Sequence, residues 1–222
     1  MFRFKDRSTA GQYLADKLQH YANDPNAVVL GLPRGGVVVA FEVARELGLP
    51  LDLFLVRKLG VPGYEELAMG AIASGGVRVM NDNVMSQINI SPEAVEAVAR
   101  REETELKRRE EAYRDNRPRL EVKDRTVILI DDGLATGATM RAAVLALRKQ
   151  QPGRIVIAVP VAASDTCDEF RADVDEIICG ITPAQFHAVG VWYEDFSQTT
   201  DGEVQQLLRA SHQGEKRTGG RP

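Results

Sequence analysis

Residues 127–139 read VILIDDGLATGAT, and the fold follows from how this stretch is put together. Val127 to Ile130 are four apolar residues in a row, the pattern of a strand buried on both faces of a parallel sheet. Two carboxylates follow, Asp131 and Asp132. A short loop then runs through Ala135, Thr136, Gly137, Ala138 and Thr139 into MRAAVLALRK, whose apolar spacing is helical. A loop of this kind at a helix start favours an anion, because free backbone N–H groups and the positive end of the helix dipole both face it. Asp131 and Asp132 suit a sugar diol, or a hydrated Mg²⁺ held directly or through water. A phosphate cradle beside a diol clamp outlines a site for ribose 5-phosphate. An ordinary strand–turn–helix with a DDG turn is the bland alternative. The lysine of a GxxxxGKS/T loop is missing, which argues against an ATPase.

Upstream, GLPRGG at 31–36 links a short apolar strand from Ala27 to Leu32 to the helix VVVAFEVARELG. Gly48 closes that helix at the position past its end. Gly35 and Gly36 allow close backbone approach to a ligand, and Arg34 adds a planar, permanent cation. A tight strand–helix turn with an exposed arginine is the other reading of this loop. Leu51 to Val56 reads as a second strand ending in Arg57 and Lys58. There the two cations either face a ligand crevice or are solvated strand-end charges. Pro62-Gly63 and Gly75-Gly76 mark turns around strands near 67–73 and 77–80. Ser91-Pro92-Glu93 starts a long helix, 91–115, so dense in Arg, Lys and Glu that a solvated helix is expected. Further strands fall at 154–161 and 174–179, with helices between. The order β-α-β, excursion, β-α-β-α-β predicts an α/β fold with a doubly wound parallel sheet.

The 222 residues suit one such domain with a substantial core. A net charge of −4 argues against a dedicated nucleic-acid binder. The N-terminus is charged throughout, with no apolar stretch of a secretion signal, and no segment is apolar enough to span a bilayer. The expected location is cytoplasmic, so Cys167 and Cys179 are expected as free thiols. Three histidines and two cysteines offer no zinc spacing.

The 127–139 segment closely resembles the signature of the type I phosphoribosyltransferases, enzymes that use phosphoribosyl pyrophosphate (PRPP), and GLPRGG resembles their pyrophosphate loop. The resemblance extends over about residues 27–196 and is closest to an uncharacterised bacterial subgroup of predicted phosphoribosyltransferases. It implies Asp131 and Asp132 on the ribose hydroxyls, with Mg²⁺ beside them, and residues 135–139 on the 5′-phosphate. It implies Arg34, Gly35 and Gly36 on the pyrophosphate, with Arg57 and Lys58 opposite. Residues 59–118 fall where the family carries its flexible catalytic loop, here with a helical insertion acting as a lid or a dimer contact. Tyr64, Glu65 and Glu66 are candidate working residues, and Arg114 and Arg117 candidate pyrophosphate contacts. Residues 180–210 with the N-terminal segment would form the hood, and 211–222 a disordered tail of a domain covering 1–210.

Aromatics in such a hood stack on the acceptor, which points to Phe186, Trp192 and Tyr193; a hydrophobic clasp packing the C-terminal helix is the alternative. Ala135 stands where family members acting on 6-oxopurines usually have an acid, so hypoxanthine and guanine are disfavoured. The activity implied is transfer of ribose 5-phosphate to a nitrogen acceptor of open identity, a homodimer being compatible. A PRPP-sensing regulator on the same fold is the rival. Aiming consecutive N–H groups at one anion makes unusual backbone expected in 33–36, a cis non-proline peptide included.

Overall fold

The computed structural model describes residues 2–88, 90–114 and 118–218. In chain order the elements are helix α1 (Arg7–Lys17), strand β1 (Ala27–Gly31), helix α2 (Gly35–Leu47) and strands β2 (Leu51–Leu53), β3 (Val56–Val61), β4 (Tyr64–Ala73) and β5 (Val77–Met80). Helices α3 (Asp82–Gln87) and α4 (Pro92–Arg114) follow, then β6 (Thr126–Ile130), α5 (Ala138–Lys149), β7 (Arg154–Val161), α6 (Ser164–Phe170), β8 (Glu176–Ile181) and α7 (Asp201–Thr218).

Five strands make a parallel sheet in the order β2-β1-β6-β7-β8. The chain winds one way from β1 to β2 and the other way from β6 to β8. The order therefore reverses between β1 and β6, where an open α/β sheet leaves a ligand crevice at its carboxyl edge. The register puts Gly31 opposite Ile130, so the loops leaving β1 and β6 emerge side by side. Every residue of β1 is buried, as are Val127 to Ile130 of β6. Val29 and Ile128 face one layer with α1 and α2, while Val28, Val127 and Leu129 face the other with α5 and α6. Both faces are covered by helices, which is why these strands read as unbroken apolar runs. No helix among the described residues is long and apolar enough to cross a membrane.

Several expectations are corrected. The segment 51–58 is not one strand. β2 stops at Leu53, and β3 opens a separate antiparallel sheet with β4 and β5. Arg57 and Lys58 lie within β3, opposite Ile72 and Ala71. Adjacent strand residues point to opposite faces, so the two cations cannot face one crevice together. Pro62-Gly63 forms the two-residue turn of the β3–β4 hairpin, Gly63 taking φ 81°.

The charged helix is packed rather than solvated. Val95, Ala99, Glu102, Leu106 and Tyr113 of α4 form a buried stripe with helical spacing. Arg114 donates twice to Asp52 of β2, at 2.8 and 2.7 Å, and once to the Leu53 carbonyl. It is thus engaged away from the expected pyrophosphate contact, and Arg117 lies outside the described residues. Tyr113 donates to Asp201 of α7 (2.7 Å), tying the insertion to the last helix. Helix α7 runs on to Thr218, past the expected start of a tail at 211. Cys167 on α6 and Cys179 on β8 form a disulfide, S–S 2.00 Å, where free thiols are expected. The packing of α6 at the end of the sheet brings the two together.

The N-terminal segment joins the C-terminal one. Phe4 bridges to Tyr193, and Phe4, Ala10, Val161, Trp192 and Tyr193 bury a small cluster of their own. This clasp fixes the start of α1 above the carboxyl edge of the sheet.

Candidate active site

The loop after β6 begins with Asp131 and Asp132 on the rim of the crevice. Asp131 Oδ1 accepts from the Asp132 amide (2.9 Å). Burial and the neighbouring Asp132 push the Asp131 carboxyl well above the ordinary carboxylate range. Burial also raises Asp132, and the Arg7 guanidinium beside it works against that rise. The pair therefore holds protons more firmly than two surface aspartates would.

Gly137 caps the next helix with φ 72°, a left-handed conformation that glycine adopts without steric cost. A Cβ there would stand 2.7 Å from the Phe170 ring. The Arg141 amide bonds to the Gly137 carbonyl (2.8 Å), and the earlier amides of α5 have no acceptor within the helix. Ala135, Thr136, Ala138 and Thr139 are exposed. The Thr166 hydroxyl donates to the Ala135 carbonyl (2.7 Å) and steadies the loop from α6. The result is an open set of amides at a helix start, suited to a phosphate.

The loop after β1 lies against the acids. A Cβ on Gly35 would collide with Oδ2 of Asp132, and one on Gly36 would come within 2.8 Å of the Asp131 Cα. These glycines are thus needed first for the fit between the two loops; the sequence pattern alone suggests close approach to a ligand. The Pro33–Arg34 peptide is cis, within the segment where unusual backbone is expected. Arg34 stands 3.7 Å from Asp201 and keeps about a third of its side chain exposed.

Of the two β3 cations, Arg57 reaches this region. It lines a cleft with Pro33, Thr139 and residues of α4. Its guanidinium pairs with Glu102 through Nε (2.7 Å) and Nη2 (2.5 Å). The β3–β4 hairpin tip carries Tyr64 and Glu65, both exposed.

Trp192 and Tyr193 are 7% and 3% exposed. Their rings are enclosed in the clasp, and Phe186 packs partly against it, so the acceptor-stacking expectation is corrected for Trp192 and Tyr193. The Tyr193 hydroxyl donates to the Asp132 carbonyl (2.5 Å), supporting the acid loop from behind. Phe196 is the aromatic of this segment left at the surface.

Arg7 joins the site although the sequence alone does not mark it. Its Nε donates to Asp132 (2.7 Å), its Nη1 to the Ser197 carbonyl (2.8 Å), and its guanidinium lies 3.9 Å from the Phe196 ring centroid. One side chain thereby joins N-terminal helix, acid pair and hood. Nothing in the local sequence marks it, because its partner is 125 positions away. Among the described residues no group of three or more Asp, Glu, His or Cys is placed to hold a metal. A magnesium ion here would depend chiefly on oxygens brought by a phosphorylated ligand.

The family model described as phosphoribosyl transferase domain matches residues 8–195. The chain is 46% identical over 209 residues to "Putative phosphoribosyl transferase Rv0571c" of Mycobacterium tuberculosis strain H37Rv, covering 94% of this chain and 47% of that one. It thus spans about half the length of that relative. In structure it is similar to TT1426 from Thermus thermophilus, with TM-score 0.85, 43% identity, and coverage of 93% of this chain and 98% of the other. The match to the family model takes in both loops of the crevice, and the chain belongs to the phosphoribosyl transferase domain family.

Proposed function

We propose that this domain transfers ribose 5-phosphate from PRPP to a nitrogen acceptor and releases pyrophosphate. The observation that carries the reading is the contact between Gly35-Gly36 and Asp131-Asp132 beside the open amides of 135–139. That contact brings a diol clamp, a phosphate cradle and a second glycine loop to one crevice. Asp131 and Asp132 would take the ribose hydroxyls. Amides of 135–139 would take the 5′-phosphate, and Arg34 to Gly36 the pyrophosphate, with Arg57 facing them.

In the reaction the acceptor nitrogen forms a bond to C1 of the ribose as the bond from C1 to the pyrophosphate oxygen breaks. Catalysis would rest on positioning and on charge stabilisation of the leaving group. Magnesium, held by PRPP oxygens and water with Asp131 and Asp132 as direct or water-mediated partners, would neutralise charge on the departing pyrophosphate. The acceptor would enter from the side of Phe196, the exposed hood aromatic beside Arg7. The arginines of α4 support this reading over the regulatory one. Arg101, Arg108 and Arg109 each pair with a glutamate of the same helix, which reduces the bare positive charge it offers a nucleic acid.

The test is incubation with PRPP, Mg²⁺ and a panel of nitrogenous bases while pyrophosphate is followed. Release that depends on one class of base, and that is lost in the Asp131→Asn/Asp132→Asn double variant, is expected. Turnover unchanged in that variant would overturn the assignment of the acids.

A further inference from the structure

We propose that Arg109, on the helical insertion, is a further contact for the pyrophosphate group of PRPP. This deepens the transferase reading and rests on it. The cleft at the mouth of the crevice is walled by Pro33, beside the glycine loop, by Thr139, at the start of α5, and by Arg57 of β3. Its fourth wall is α4, through Leu106 and Arg109. Pro33, Thr139 and Arg57 adjoin or belong to the proposed PRPP site, and Leu32, Phe54, Leu55 and Val56 complete the lining.

Helical spacing explains why Arg109 is there. Glu102, Leu106, Arg109 and Tyr113 follow one another at intervals of four, three and four residues, so they share one face of the helix. Glu102, Leu106 and Tyr113 are buried against the body of the domain. Arg109 is therefore turned toward the site, whereas its neighbour Arg108 is 60% exposed along its side chain. Both arginines bind the same Glu105, Arg109 through Nε at 2.7 Å. A guanidinium engaged at Nε keeps further N–H donors for a phosphate.

Charge supplies the reason for a third cation beside Arg34 and Arg57. Arg57 is paired with the buried carboxylate of Glu102, so that pair brings little net charge. Arg34 stands near Asp201. The pyrophosphate carries several negative charges, and the 135–139 loop has no cationic side chain. Arg109 can answer the pyrophosphate while Glu105, exposed enough to take up water, is released or shared with Arg108.

Arg109→Gln and Arg108→Gln are compared with the wild type by calorimetric titration of Mg²⁺-PRPP, pyrophosphate and ribose 5-phosphate, with melting temperatures to confirm matched folding. Arg109→Gln should weaken PRPP and pyrophosphate about tenfold, the loss of one charge-assisted contact, and leave ribose 5-phosphate unchanged. Arg109→Lys, which keeps the charge, should recover part of the affinity. Arg108→Gln should bind all three ligands like the wild type. Unchanged PRPP and pyrophosphate affinity in Arg109→Gln overturns the proposal, as does equal weakening by Arg108→Gln or an equal loss of ribose 5-phosphate. If the wild type binds none of these ligands, the transferase reading falls with it. Wild-type binding with an unaffected Arg109→Gln removes only the role of Arg109.

Discussion

Asp131 illustrates how function and stability oppose each other at one residue. Its raised pKa means that the folded chain keeps a proton that the unfolded chain gives up. Stability from this group is present at low pH and is lost as pH rises from the unfolded value, about 3.9, through the folded one. At neutral pH Asp131→Asn should therefore raise the melting temperature, by about 2–4 °C for each kcal/mol recovered, while turnover disappears. A lowered melting temperature in a scanning calorimeter would contradict the burial argument. Catalysis should fall on acidification, with a limb above the ordinary carboxylate range, because protonated aspartates lose their charge for the sugar and the metal. Gly35→Ala should weaken PRPP binding strongly, since a methyl there collides with Asp132 and comes within 2.6 Å of Arg7 Nε. Wild-type affinity in that variant would show that the two loops do not need their close fit. The acid pair and the glycine pair were each legible because their two members are adjacent in the chain. Arg7 was not, since only folding brings it to Asp132.

At the scale of elements, apolar periodicity was the reliable signal and charge density the misleading one. Val127 to Ile130 read as a buried strand because both faces of the sheet are covered. In α4 the buried stripe of Val95, Ala99, Leu106 and Tyr113 is present in the sequence, but interleaved Arg, Lys and Glu hide it. The break after Leu53 was invisible because Phe54 and Leu55 continue the apolar run and are themselves buried. Helix α4 is held to β2 by Arg114 and Asp52, whose side chains are 10% and 7% exposed. Asp52 also accepts from the Leu53 and Leu120 amides. Breaking a buried pair from one side strands the other charge, so Arg114→Met should cost about 3–5 kcal/mol in urea denaturation. A cost below about 1 kcal/mol, typical of a surface pair, would mean that the helix is anchored otherwise. Arg108→Gln, on the exposed side, should leave the melting temperature unchanged.

For the whole molecule, the doubly wound order predicted the crevice, since a sheet whose winding reverses between β1 and β6 opens there. The disulfide was not predictable, because Cys167 and Cys179 meet only through the packing of α6 on β8. It closes a loop with a sequence separation of 12, and a link of that size contributes about 3 kcal/mol in the loop-entropy picture. The oxidised protein, unfolded in denaturant, should show no titratable thiol until a dithiol is added, and reduction should lower its denaturation midpoint. Two thiols without reductant would restore the expectation of free cysteines. One crevice is built by two loops that touch at the carboxyl edge of neighbouring strands. The most direct test of that arrangement is a crystal structure of the protein with Mg²⁺-PRPP. The 5′-phosphate should lie on the amides of 135–139, the ribose hydroxyls on Asp131 and Asp132, and the pyrophosphate on residues 34–36. PRPP found away from these loops, or with its two ends exchanged between them, would contradict it.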